Sequence, residues 1–522
     1  MEPTTGAFDR RALLRLAGGA TVVGGAFAAG IGVLPGHAVE APAPKRQFRA
    51  MWLSSVVNID WPSKVGLTVE QQQTEFIAWL DLAVKLNLNA VICQVRPTAD
   101  SFWPSPYEPW SQYLTGTQGG DPGYDPLAFQ LAEARKRNLE YHAWFNPYRV
   151  SMQTDPGKLV PTHPARKNPD WVFPFGGKLY YNPGIPAVRA FVQDAMLDAV
   201  ETYDIDAVHF DDYFYPYPVA GQDYPDAATY AEHGRGIVTI EDWRRDNINL
   251  LVREIGERIH ALKPWVKFGI SPFGIWRNKA TDPLGSETSG TESYAAISAD
   301  TRRWVKEGWV DYINPQIYWQ IGLAVADYAK LVPWWADVVA DTDVALYIGQ
   351  AVYKVTSGAF TDPEELSKHL TFNRDHPEVD GDVWFSAKDV RTDAKGAISA
   401  IVAEHYSRPA LVPVINHLGG VAPPAPQAVS VRRTRAGVQV RWTSRSPVLP
   451  TSYAIWRFGG DADPVAADLD DATNLVATVR ADRRGAHLWV DTEAVAGEQH
   501  SYVITAYDRL WNESEPSRAV RS

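Results

Sequence analysis

The chain has 522 residues and a single cysteine, Cys93, so it cannot build an intramolecular disulfide framework. Cys93 stands in the apolar run AVICQVRP, the setting of a buried structural thiol rather than a nucleophile. Positive charge is also in short supply. Fifty Lys and Arg face 62 Asp and Glu, for a formal net charge of −12. Such a balance excludes nucleic acid as a partner, because an acidic surface repels a phosphate backbone. No Gly-rich dinucleotide fingerprint follows the first apolar strand, no phosphate cradle is visible, and no H-x-H or H-E-x-x-H metal pattern occurs. These absences leave no implied cofactor. What is abundant is aromatic: 20 Trp, 23 Tyr and 18 Phe. Flat rings of this kind stack on sugar faces, although they also fill large cores. With 45% hydrophobic and 21% charged residues the chain is globular, and its length calls for two or three domains.

One long uncharged stretch exists, residues 16–34, and it is rich in Gly and Ala. Arg10 and Arg11 precede it, followed by Leu13 and Leu14, and small residues suited to cleavage lie near Ala38 and Ala41. The arrangement resembles a bacterial twin-arginine export signal. Residues 1–41 are therefore set aside as a signal and linker. The expected location is extracellular or in the cell envelope, with no stable membrane insertion after cleavage, since the stretch is too weakly hydrophobic for a permanent span.

From residue 46 to 410, short apolar runs alternate with helical patterns. Strands are expected at 48–56, 90–97, 141–149, 207–218, 267–274, 310–318, 344–352 and 381–390. Helices are expected between them, as at 70–86, where Phe76, Leu80, Ala83 and Leu86 recur at helical spacing. The strands are apolar on both faces, as in a parallel sheet covered by helices. Eight such units make an α/β fold, a (β/α)8 TIM-like barrel, with a doubly wound open sheet as the alternative. A Pro/Gly/Ala-rich linker follows over 411–422. Residues 423–522 hold short alternating strands with Trp442, Tyr453, Trp456 and the run 502–508, and they resemble a fibronectin type III β-sandwich. Spacing or weak binding is its expected role.

In such barrels the chemistry sits at the C-terminal ends of the strands. There the sequence places Arg96, Asn146, Tyr148, His209, Asp211, Asp212, Tyr213, Gln316, Tyr318 and Trp319. Amides and Arg hydrogen-bond sugar hydroxyls, and Tyr and Trp supply stacking. The richest stretch is AVHFDDYFYPYP at 207–218. Side chains alternate along a strand, so His209, Asp211 and Tyr213 share one face and Asp212 points away. Asp211 is thus the main catalytic carboxylate and Asp212 its partner or modulator. The other eight residues are candidate substrate contacts. A buried Arg96 requires a partner, expected to be Asp211, Asp100 or a sugar. Glycoside hydrolysis needs a second carboxylate or help from a substrate N-acetyl group. Asp60, Asp100, Glu287 and Glu292 are the loop candidates. A metal-dependent hydrolase or deacetylase using His142, His209 and Asp211 stays open, as does an inactive glycan-binding protein.

Several long segments, FRAMWLSSV, QVRPTADSFWPSPYEPWSQYLTG, HAWFNPYRVS, KLYYNPGIPAVRAFV, VHFDDYFYPYP and DYINPQIYW, resemble the bacterial glycosyl-hydrolase-10-like family over about residues 46–390. The resemblance implies a TIM-like barrel that hydrolyses envelope glycan, with peptidoglycan strands stripped of their stem peptides as the leading substrate. It also implies a catalytic role for an Asp at the end of strand four, similar to Asp211 here.

Overall fold

The computed structural model describes residues 43–444, 449–460, 464, 466–482 and 485–522. The export segment expected over 1–41 lies outside the described residues. Eight parallel strands close into a barrel: β1 (Phe48–Leu53), β2 (Ala90–Arg96), β3 (Glu140–Phe145), β4 (Ala207–Phe210), β5 (Lys267–Ile270), β6 (Tyr312–Ile313), β7 (Ala345–Ala351) and β8 (Val379–Phe385). Each pairs with its neighbours in sequence, and β8 pairs with β1, Phe48 opposite Gly381. Closure removes the open-sheet alternative. β1, β2 and β3 are buried along their whole length, which is why their sequences do not alternate.

The covering helices follow local rules. Val69–Lys85 begins with a capping box between Thr68 and Gln71 and buries Phe76, Trp79, Leu80 and Ala83. Pro186–Thr202 carries Pro at its start, where the missing N–H costs nothing. Strands three and six end earlier than their apolar runs. Asn146–Pro147 and Asn314–Pro315 stop them, because Pro cannot donate to the ladder and restricts the residue before it. The long connection after β3 holds an antiparallel sheet that the sequence did not announce, in the order Arg149–Ser151, Lys178–Tyr181, Val172–Phe175.

The barrel lumen carries a one-way chain of hydrogen bonds. Trp52 Nε1–H, a pure donor, reaches His209 Nε2 at 3.1 Å. His209 Nδ1 must then be the protonated nitrogen, and it donates to Tyr312 Oη at 2.9 Å. Tyr312 donates to His142 Nδ1 at 3.0 Å, and His142 Nε2 donates to Glu140 at 3.0 Å. Burial holds the His209 imidazole well below its ordinary value, so it is neutral. At the lower end Glu140 also accepts from Lys267 at 2.7 and 2.9 Å.

The C-terminal unit is a β-sandwich. Its strands are β9 (Gln427–Thr434), β10 (Gly437–Thr443), β11 (Ser452–Gly459), β12 (Leu475–Arg480), β13 (Ala486–Asp491), β14 (His500–Tyr507) and β15 (Val520–Arg521). They form a three-stranded sheet, β9-β10-β13, and a four-stranded sheet, β12-β11-β14-β15. Val440, Trp442, Tyr453, Ile455, Tyr502 and Ile504 pack between the sheets. The other face of the second sheet, with Ala454, Trp456, Val503 and Tyr507, belongs to one apolar cluster with the barrel residue Phe48 and the linker residue Leu411. Trp511 enters the barrel floor and its indole N–H donates to Glu140 at 2.8 Å. Arg509 donates to Ile205 O at 2.9 Å. Residues 411–422 are not a free spacer over their first part: Leu411 and Val412 are buried, and Leu411 bonds the backbone of Lys45 and Gln47 at 2.9 Å each.

Candidate active site

Asp211 and Asp212 follow the last residue of β4, at the upper mouth of the barrel. The register that pairs Phe145 with Phe210 sets Asn146 beside Asp211. Asn146 Nδ2 donates to both Asp211 oxygens at 3.1 Å, and the Tyr213 backbone N–H donates to Oδ1 at 3.0 Å. The two acids are treated differently. Asp211 lies on the side of His209 and the lumen, whereas Asp212 accepts a hydrogen bond from the Tyr217 hydroxyl.

The ladder continues past the strand ends on this side. Ser271 N donates to Phe210 O and Asn314 N to Ile270 O, each at 2.8 Å. Asn146, Asp211, Ser271 and Asn314 therefore form a row across four strands. Ser271 Oγ, both amide atoms of Asn314 and the nearby Trp144 Nε1 are buried with no hydrogen-bond partner among the described residues. Each such atom costs about 1–3 kcal/mol that the resting fold does not return, and unpaired groups of this kind concentrate where a site requires them.

Two groups of rings lie around the strand ends at this mouth. Tyr213, Tyr217, Phe273 and Trp319 touch in series, with centroids 5.8, 6.3 and 5.4 Å apart. A second group joins Phe385 to Tyr318, with centroids 6.4 Å apart, and to Trp52 at 6.0 Å. Gln316 bonds the Ser271 carbonyl at 2.9 Å and bridges Phe273 to Gly349.

Four predicted contact residues, Arg96, Asn146, Tyr148 and His209, lie inside the protein. Arg96 is fully buried, and its partner is Glu108, bonded at 2.6 and 2.5 Å, rather than Asp211, Asp100 or a sugar. It also donates to the carbonyls of Asn146 and Pro147, so it holds the segment that holds Asp211. Tyr148 is fully buried, and His209 is occupied by Trp52 and Tyr312. The metal alternative required His142, His209 and Asp211 to converge. Both imidazoles are instead engaged in the lumen chain, and no group of three or more His, Cys, Asp or Glu able to hold a metal ion occurs among the described residues.

Three of the four loop carboxylates are tied elsewhere, and the fourth, Asp100, is buried with one oxygen unpartnered among the described residues. Asp60 accepts from Ser54 N, Ser386 Oγ and Lys388 N at 2.8–2.9 Å, joining the ends of β1 and β8, and burial pushes it up to about 6. Asp100 is buried and pushed up to about 7. Glu287 pairs with Lys279 and Lys330 on the surface, and Glu292 accepts from Asn278 N at 2.9 Å. Sequence reasoning missed Glu108, which has no local signal, and Tyr312, which alternation from Asn314 would have pointed into the lumen.

The family model described as Glycosyl hydrolase-like 10 matches residues 47–366. The chain is 48% identical over 483 residues to "Glycosyl hydrolase YngK" of Bacillus subtilis strain 168, covering 91% of this chain and 93% of that protein. It is 40% identical over 381 residues to "Glycosyl hydrolase DigH" of Escherichia coli K12, covering 68% and 87%. Among solved structures, the glycoside hydrolase domain of PgaB (BpsB) from Bordetella bronchiseptica is similar at 14% identity and a TM-score of 0.44, over 69% of this chain and 99% of that one.

Proposed function

We propose that this chain, which belongs to the Glycosyl hydrolase-like 10 family, is an exported glycoside hydrolase of cell-wall glycan, acting on peptidoglycan strands that have lost their stem peptides. The observation that carries the reading is Asp211, held by Asn146 and by the N–H of Tyr213, whose ring begins a run of aromatic rings reaching Trp319. Rings of that spacing suit stacking on sugar faces, and the carboxylate stands where a glycosidic oxygen would enter. Asp211 is the main catalytic carboxylate. Because Asp60, Glu287 and Glu292 are engaged elsewhere and Asp100 is fully buried beside Thr98, the second group is taken to be Asp212 or the substrate's own acetamido group. Adjacent carboxylates can divide acid and base work, and acetamido participation replaces a protein nucleophile. Arg96, Asn146 and Tyr217 are positioning residues, and Gln316, Tyr318 and Trp319 are candidate sugar contacts.

The test is Asp211→Asn assayed on amidase-stripped glycan strands by new reducing ends. Turnover falls on the order of 10³-fold while the melting temperature holds. A folded Asp211→Asn protein with wild-type turnover removes the assignment. A wild-type protein that cleaves chito-oligosaccharides but not stripped strands removes the substrate.

A further inference from the structure

Arg149 follows Asn146 by three residues and opens the small sheet above the barrel mouth. It is only 5% exposed. An arginine buried to that degree is normally paired with a carboxylate, because an isolated buried charge is costly. Arg149 is not. No carboxylate lies within ion-pair distance among the described residues, and its side chain makes one hydrogen bond, Nε–H to the Pro97 carbonyl at 3.0 Å. The guanidinium sits over the Tyr213 ring, 5.0 Å from the centroid. Its terminal nitrogens, which carry four of its five N–H donors, bond nothing among the described residues.

The position of this cation ties it to the reacting carboxylate. Tyr213 donates its backbone N–H to Asp211, and Asn146 accepts from the Arg149 backbone N–H at 3.2 Å while donating to Asp211. The fork is held at two points, by Pro97 and by the Tyr213 face, with its terminal edge uncommitted. A planar guanidinium fixed in this way matches a carboxylate bidentately. The hydroxyls of Tyr113 and Tyr180 lie within its electrostatic reach, and neither supplies an anion.

We infer that Arg149 is a specificity residue that binds a free carboxylate on the glycan. Resting on the function proposed above, that carboxylate is the lactyl group of a muramic acid residue. A stem peptide converts this group into an amide, and removal of the peptide restores the charge. Arg149 therefore reads whether the strand has been stripped. A peptide-bearing strand offers the fork a neutral amide whose N–H faces other N–H donors.

The experiment compares stripped glycan strands with the same strands after their carboxylates are converted to primary amides, using the full-length protein and its Arg149→Gln and Arg149→Lys variants. Wild type loses on the order of 30-fold in kcat/KM on amidation, the worth of a charge-assisted bidentate contact, chiefly through KM. Arg149→Gln treats both substrates alike, and Arg149→Lys recovers part of the preference. Wild-type indifference to amidation overturns the inference without any variant, as does an undiminished preference in folded Arg149→Gln. If wild type cleaves neither substrate, the proposed function falls and this inference with it.

Discussion

At the lower end of the barrel Glu140 accepts hydrogen bonds from Lys267, His142 and Trp511, three donors from two units of the protein. At the upper end, Ser271, Asn314 and Trp144 stand near Asp211 with polar atoms that bond nothing among the described residues. Both ends are buried and both are rich in polar groups, so burial does not separate them. Satisfaction does. A charged group that is removed from water and fully partnered fixes one arrangement of its neighbours, whereas an unpaired amide or hydroxyl lowers stability and waits for a ligand. The contrast follows the general division of such barrels into a stability face and a catalytic face. Here the β-sandwich completes the stability face, so it is the floor of the barrel rather than a detached module.

The largest effect comes from breaking the lower end. Trp511→Ala removes a side chain that is 5% exposed and joins the shared apolar cluster of barrel and sandwich, along with one donor to Glu140. The expected loss is about 4 kcal/mol of unfolding free energy, read by denaturant melts. Turnover per folded molecule stays near wild type, since the mouth is untouched. A loss below about 1 kcal/mol would mean that the sandwich does not support the barrel.

Much of this was legible in the sequence, for physical reasons that can be named. Strands buried on both faces do not alternate, and runs such as AVICQVRP and YHAWF gave themselves away as parallel barrel strands. Period-two alternation, carried one step past the end of β4, set Asp211 apart from Asp212, and the two do have different partners: Asn146 for the first and Tyr217 for the second. What the sequence hid depends on long-range pairing. Arg96 meets Glu108 across a loop with no periodic signal, so a buried cation beside the mouth read as a sugar contact. The sandwich strands β11 and β14 have both faces buried, one against the barrel, and nothing local marks the second face as covered. The hydrogen bonds that engage Asp60 and Glu292 likewise come from segments the loop sequence alone does not bring together.

His209 sits between the two ends and sharpens the comparison through pH. Its imidazole is held well below 6.5 by burial in the lumen. For a base with a depressed folded pKa, the unfolded chain takes up the proton first, so the contribution to stability is complete above 6.5 and is lost as pH falls. Comparison with His209→Gln reads this titration together with any change at His142, which the same chain through Tyr312 couples to it. The stability difference between wild type and variant shifts against wild type by about 1.4 kcal/mol per pH unit below roughly pH 6, and is constant above about pH 7. Urea melts across that range measure it, and a difference that ignores pH would place His209 in contact with water.

The smallest effect is the most diagnostic of the upper end. Asn314 is fully buried with its amide oxygen and nitrogen both unpaired. Leucine has nearly the same shape and no polar atom to strand, so Asn314→Leu raises the unfolding free energy by about 1 kcal/mol. Turnover on stripped glycan falls at the same time, because the row from Asn146 to Asn314 loses the amide two strands along from Asp211. Gain of stability together with loss of activity is the signature of a residue kept for a ligand. The opposite pair, a destabilised protein with unchanged turnover, would show that Asn314 only terminates β6 ahead of Pro315, and the contrast between the two ends would then rest on Ser271 and Trp144 alone.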